Sequence, residues 1–137
     1  MAEVGTKLST QQRIQKVRDG FAAFQRGDLQ YLNENIADDA VWHVPGTTRF
    51  SGDFRGKQQI LQMLGGFAQS WDEMRSDIHD VLASDEHVGV LVNFTAKKNG
   101  KPYEEKQSVV FHLDPEGKAK EVWVIGDSEG VKKALEG

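Results

Sequence analysis

Apolar positions keep a helical period through the first part of the chain and an alternating one through the second. Ile14, Val17, Phe21 and Phe24 recur at intervals of three and four, one stripe of a helix over Thr10 to Arg26. Ser9 or Thr10 can cap its first turn, and Gly27-Asp28 ends it. Leu29, Leu32 and Ile36 mark a short second helix with Asp28 as its cap. Asp38-Asp39 reads as a break, and Ala40 to Val44 as a short strand stopped by Pro45-Gly46. Thr47 to Gly56 reads as a loop. A third helix, roughly Lys57 to Ser70, puts Ile60, Leu61, Leu64 and Phe67 on its buried side. Gly65-Gly66 inside it costs helix stability and points to close packing or a kink.

From Met74 the period changes to two. Met74 to Leu82 and Val88 to Lys98 read as strands joined by the turn Ser84 to His87. Asn99-Gly100 between alternating runs predicts a two-residue hairpin. That loop pairs Lys98 with Lys101, and so Phe94 with Glu105, Val92 with Gln107 and Val90 with Val109. At Asp114-Pro115-Glu116-Gly117, proline suits the second turn position and glycine the left-handed one, which predicts a three-residue loop with a bulge. The register that follows pairs Val109 with Trp123, Gln107 with Ile125 and Glu105 with Asp127. A slip of one residue would put Trp123 on the opposite face. The order is α-α-β-α-β-β-β-β, three helices followed by an antiparallel meander. It predicts an α+β fold, one domain over residues 1–137, with helices covering one face of a curved sheet.

In this register one face carries Val90, Val92, Phe94, Val109, Trp123 and Ile125, with Glu105, Gln107 and Asp127 among them. An apolar basin with a few convergent polar groups is how a small-molecule pocket is built. The opposite face carries Leu91, Val110, Val122 and Val124, too apolar for a solvated surface, and is expected to pack against a second copy of the sheet. Composition narrows the partners. Seventeen basic against twenty-one acidic residues give a net charge of −4, with no basic stripe for nucleic acid. The absence of cysteine excludes disulfides, thiolate metal sites and cysteine nucleophiles. Met1 to Thr10 holds no apolar run of a signal peptide, and no stretch has the length of a membrane span, so a cytoplasmic protein is expected. His79, His87 and His112 lack metal-site spacing, and neither a phosphate loop nor a dinucleotide fingerprint is present. No metal, cofactor, nucleic acid or membrane partner is expected.

Asp38-Asp39-Ala40-Val41-Trp42-His43-Val44-Pro45-Gly46, then Ser51-Gly52-Asp53-Phe54-Arg55-Gly56 opening a helix, resembles the SnoaL-like branch of the NTF2-like superfamily, which also contains the ketosteroid isomerases. His79 to Ser84, the Asn99-Gly100 hairpin, and Glu121-Val122-Trp123 with Asp127 continue the likeness over residues 10 to 130. The resemblance implies a cone, a strongly bent sheet over three helices with a deep pocket, and dimers formed through the sheets. It is poor at naming a reaction, because this fold hosts many functions. The isomerase base would precede the proline, where this chain has Val44, which takes no proton. An aspartate of the limonene-epoxide hydrolases would fall at Ile125, so that triad is not intact. In SnoaL aldol cyclases an aspartate and a histidine in the pocket transfer protons.

Alternation groups His43 with Val41, and the family pattern turns that face toward the pocket. An imidazole there could act as a base or orient a carbonyl, or serve as a hydrogen-bonded structural residue. Asp127 and Glu105, facing each other, could form an acid–base pair. Asp127 could equally cap a C-terminal helix over Gly130 to Leu135, and Glu105 could be a solvated rim charge. Gln107 could orient a carbonyl or pack. Arg55 could bind an anion or, with Asp53, latch the loop. Val41, Phe54, Val90, Val92, Val109, Trp123 and Ile125 complete the expected pocket wall. The expected function is cofactor-independent proton transfer (isomerisation, cyclisation or dehydration) on a small apolar carbonyl- or hydroxyl-bearing molecule. The alternative is a ligand-binding or protein-interaction module without chemistry.

Overall fold

The computed structural model describes residues 8–136. The segment read for a leader lies mostly outside them. Helix α1 (Thr10–Arg26) starts at a reciprocal cap: Ser9 Oγ accepts from Gln12 N–H at 3.1 Å, and Gln12 Oε1 accepts from Ser9 N–H at 2.8 Å. It stops at Gly27, whose φ of 73° satisfies the left-handed cap. Asp28 caps α2 (Leu29–Asn35) by accepting from Tyr31 N–H at 3.0 Å. Next come β1 (Ile36–Val44), β2 (Gly52–Arg55), α3 (Lys57–Gln69), β3 (Glu73–Ala83), β4 (His87–Lys98), β5 (Lys101–Leu113), β6 (Ala119–Ile125) and α4 (Ser128–Glu136).

Two expectations change at β1 and β2. Ile36 begins the first strand rather than ending α2. Asp38-Asp39 lies within that strand, at a register irregularity between Ile36 and Val41. Both carboxylates point to solvent and meet lysines, Asp38 to Lys57 at 3.0 Å and Asp39 to Lys120 at 3.7 Å. Inside the expected loop, Gly52–Arg55 pairs antiparallel with β1. The six strands run β2-β1-β6-β5-β4-β3, antiparallel except for β1 against β6. Helices α1 to α3 fill the concave side. There Ile60, Val88, Val90, Val92 and Val122 are sealed from solvent and form the core with the helical stripes. Gly66 earns its place in α3 because a Cβ there would sit 3.0 Å from the Phe50 ring. Nothing in the structure explains Gly65.

The β4–β5 hairpin has the predicted register, with Val90 opposite Val109, Val92 opposite Gln107 and Phe94 opposite Glu105. The β5–β6 register does not. Its loop forms as predicted: Gly117 N–H donates to Asp114 O at 2.9 Å, Asp114 N–H to Lys118 O at 2.8 Å, and Leu113 faces Ala119. One pair later His112 faces Glu121, so Lys120 is an extra, bulged residue. From there every β6 side chain changes face. Val122 and Val124 turn inward opposite Phe111 and Val109, while Trp123 and Ile125 turn outward opposite Val110 and Ser108.

Candidate functional site: a buried glutamate in an apolar cone

Between the helices and the concave sheet lies a cavity of about 190 Å³. An engineered cavity of roughly 150 Å³ admits benzene, so this one has room for a substituted ring. Aromatic side chains from every layer line it: Phe21 and Phe24 of α1, Trp42 of β1, Phe67 of α3, Phe94 of β4 and Phe111 of β5. Trp42 and Phe21 both meet Phe111 edge-on, with ring centroids 6.3 and 5.9 Å away.

Set into this wall is Glu105, only 7% exposed. Strand β5 alternates it inward with Gln107 and Val109, and the last turn before α4 supplies its partners. Asp127 N–H donates to Glu105 Oε2 at 2.7 Å, and Gln107 Nε2 donates to Oε1 at 3.1 Å. Gly126 permits this approach, since a Cβ there would lie 2.8 Å from Oε2. Burial pushes the Glu105 carboxyl above the usual range. The donated hydrogen bonds oppose that rise and the nearby Asp127 carboxylate adds to it. Tyr103, two residues earlier on the same face of β5, is pushed up by burial and then by the Glu105 and Asp127 charges. Its hydroxyl is 3.5 Å from Asp127 O, and its ring stacks on Trp71 at 5.8 Å.

Asp127 reaches Glu105 through its backbone rather than as a second carboxyl in the same hydrogen bond. Its side chain caps α4, accepting from Gly130 N–H at 2.9 Å. It stands exposed at the cavity rim.

The remaining expected residues divide. Gln107 and Val109 line the cavity. Val90 and Val92, 1% exposed, belong to the sealed core beneath it, and Phe54 packs against that core from β2. Val41, His43, Trp123 and Ile125 lie on the convex face, which corrects their placement in the pocket. The Lys120 bulge turns Trp123 and Ile125 outward, and the pairing of Trp42 with Val122 turns Val41 and His43 outward beside them.

Both ring nitrogens of His43 are taken by carboxylates, Nδ1 with Asp53 and Nε2 with Glu121, each at 2.7 Å. Those two hydrogen bonds, Asp53 first, hold its pKa above the ordinary histidine value. Arg55 stays at 4.0 Å from Asp53, loosely attached to the same cluster. Trp123 stacks on His43 at 5.8 Å and lies 5.7 Å from His87, which in turn meets His112 at 5.3 Å. Among the described residues no group of three or more His, Cys, Asp or Glu is arranged to hold a metal ion, and no helix is long and apolar enough to cross a membrane.

The sequence reading did not single out Tyr103 or Lys16. Tyr103 was open to inference from its two-residue spacing to Glu105. Lys16 lies one position off the apolar stripe of α1 and lines the same cavity.

A bent six-stranded sheet closed over three helices around an apolar cavity defines an NTF2-like, cystatin-like cone. The family profile of the SnoaL-like domain matches residues 17–122, and the chain belongs to that family. The uncharacterised protein Rv0034 of Mycobacterium tuberculosis is 34% identical over 96 residues, 69% of this chain and 73% of its own. Among solved structures, Bal32a from a soil-derived mobile gene cassette superposes with a TM-score of 0.85 at 27% identity, over 92% of this chain and 98% of its own. IdmH of Streptomyces antibioticus, a candidate polyketide cyclase, shares the fold with a TM-score of 0.76 at 22% identity, over 90% of this chain and 98% of its own.

Proposed function

We propose that the cone binds a small, mostly apolar molecule bearing a carbonyl or hydroxyl group, and that Glu105 moves a proton on it without a cofactor. The observation that carries this is a nearly buried carboxyl, raised in pKa, in the wall of an otherwise apolar cavity. Such a group suits general acid–base work, because burial makes it hold a proton more readily than an exposed carboxyl does. As carboxylate, Glu105 removes a proton from carbon next to a carbonyl, and the electron pair moves onto the carbonyl oxygen as an enolate. Returning that proton to another carbon isomerises the substrate. Delivering it to a departing hydroxyl releases water. Gln107 holds the carboxyl in place, and the aromatic wall excludes solvent. This reading gives the proton-transfer role to Glu105 in place of His43, whose nitrogens are both occupied on the convex face. Asp127 serves as rim and cap. That a fold relative is a candidate polyketide cyclase is consistent with a carbonyl-rich substrate.

The test uses cyclic and aryl ketones in deuterated buffer, read by mass spectrometry. Wild-type protein should speed deuterium uptake next to the carbonyl, and Glu105→Gln should lower the rate by at least about a hundredfold, the scale of general acid–base catalysis. Equal rates in the two proteins would remove Glu105 from the mechanism. A ligand found by thermal shift that exchanges no proton would favour a binding module.

The convex face supports a second reading, self-association through the sheets. Leu91 and Ile125 are 38% and 56% exposed there, beside the Trp123 shelf. Sedimentation at micromolar concentration should show a dimer that Leu91→Glu with Ile125→Glu converts to monomer. A wild-type monomer would end this reading.

A further inference from the structure

Among the described residues, the cavity wall holds one cation that the proton-transfer reading does not use. Lys16 lies half-buried on α1, beside the apolar stripe that faces the cone, and lines the cavity with Asn35 and Gly117. Its path is built in. A Cβ at Gly117, where φ is +89°, would come within 2.7 Å of Leu8 Cδ1 and 2.9 Å of Lys16 Cε, so the stem passes close against the β5–β6 turn. Its Nζ is 3.2 Å from Asn35 Oδ1, and Asn35 turns that oxygen toward it by donating through Nδ2 to Tyr31 O at 2.8 Å. Lys57, Lys97, Lys118 and Lys120 pair with carboxylates. Among the described residues the partner of Lys16 is a neutral amide. A full positive charge in an apolar wall, set against a neutral oxygen, is matched best by an anion entering the cavity.

The cavity gives the size of that anion's carrier. Lys16 stands by the turn that follows Leu113 and Glu105 lies eight residues back along β5, and the cavity of about 190 Å³ that both line has room for a carrier of roughly the size of a substituted ring. We propose that Lys16, set by Asn35, is a subsite for a carboxylate, and that the ligand of this cone is a ring-bearing apolar carboxylic acid. This rests on the reading of the cone as a ligand site, but it does not depend on proton transfer by Glu105.

The probes are benzoate and 4-phenylbutanoate, each beside its primary amide, titrated at pH 7.5 against the full chain by calorimetry. The longer acid should bind at least about tenfold more tightly than its amide, the scale of one charge-assisted contact. Lys16→Met, which keeps the apolar stem, should abolish that preference, and Lys16→Arg should retain it. Glu105→Gln should leave the preference in place, so a failure of the acid–base reading leaves this one standing. Lys16→Gln serves as a second neutral variant should the methionine protein not fold. Equal affinity of acid and amide in wild type would overturn the proposal. So would no binding of either acid at millimolar concentration, or a preference that survives the neutral variants.

Discussion

Glutamine at position 105 keeps the length and shape of the side chain while removing its charge, so its effect on stability can be worked from the partners. Both carboxyl oxygens of Glu105 accept hydrogen bonds, Oε2 from Asp127 N–H and Oε1 from the Gln107 amide. A glutamine offers one oxygen and one NH₂ group, so one of those donors meets another donor. A buried donor left without a partner costs about 1–3 kcal/mol. The charge acts in the other direction. Burial raises the Glu105 pKa in the folded protein, so the folded state holds that proton more tightly than the unfolded one. The stability this confers is complete below the unfolded glutamate pKa and is lost as pH rises through the folded one. Glutamine has no such loss. Near pH 4 the protonated carboxyl still accepts through its hydroxyl oxygen where an NH₂ group cannot, so wild type should lead Glu105→Gln there by part of that hydrogen-bond cost. The lead should then shrink by at most about 1.4 kcal/mol per pH unit across the window between the two pKa values, and level off above it. Urea midpoints of both proteins at pH 4, 5, 6, 7 and 8, with the slope m checked for constancy, measure this directly. A gap that widens with pH, or one that stays flat, would show that Glu105 is not a buried carboxyl of raised pKa.

The convex face should respond to pH through His43. Its pKa is raised by Asp53 and then Glu121, so its stabilising contribution is complete below the unfolded histidine value and is lost as pH rises through the folded one. His43→Gln should accordingly cost most near pH 5.5 and approach wild type by pH 9 in urea melts; a constant gap would mean the clamp does not depend on charge. Gly46→Ala tests how α4 is seated. Its new Cβ would fall 2.6 Å from Ser128 Cβ at a φ of +98°, so a loss of at least about 1 kcal/mol is expected, with faster amide exchange in α4; an unchanged melt would refute that contact. Ile60→Ala, at a site with no exposure, should cost about 2–5 kcal/mol by calorimetry, and a loss under about 1 kcal/mol would mean that α3 does not seal the core.

The order of elements was legible where local chemistry is self-sufficient. Ser9 and Gly27 bound α1 by caps that need no tertiary partner, and Asn99-Gly100 sets the β4–β5 register through a turn that only such residues form readily. Those features placed Val109, Gln107 and Glu105 on one inward face. Two other things were hidden because distant partners decide them. Gly52–Arg55 becomes a strand only by pairing with β1, and β1 finds β6 in a parallel contact that no hairpin signal announces. The burial of Glu105 was hidden too, since its donors come from Gln107 on its own strand and from the turn after β6.

The face of β6 is the most instructive case, because Val122-Trp123-Val124-Ile125 is apolar at every position and burial alone does not choose between its two sides. Its neighbour chooses. In the register predicted from the loop, Glu121 shares the parity of Trp123 and Ile125, so turning those two inward also carries a second carboxylate into the apolar wall that already holds Glu105. A bulge at Lys120, whose own side chain reaches Asp39 in solvent, returns Glu121 to the convex face. There it meets His43 at 2.7 Å, and that hydrogen bond joins β6 to β1 across their parallel contact. The same shift keeps the Trp123 indole out of a cavity of about 190 Å³, which a second inward tryptophan beside Trp42 would largely fill. One unpaired residue thus separates two sets of charges: His43 with its carboxylates outside, and Glu105 and Lys16 in the wall of the cavity.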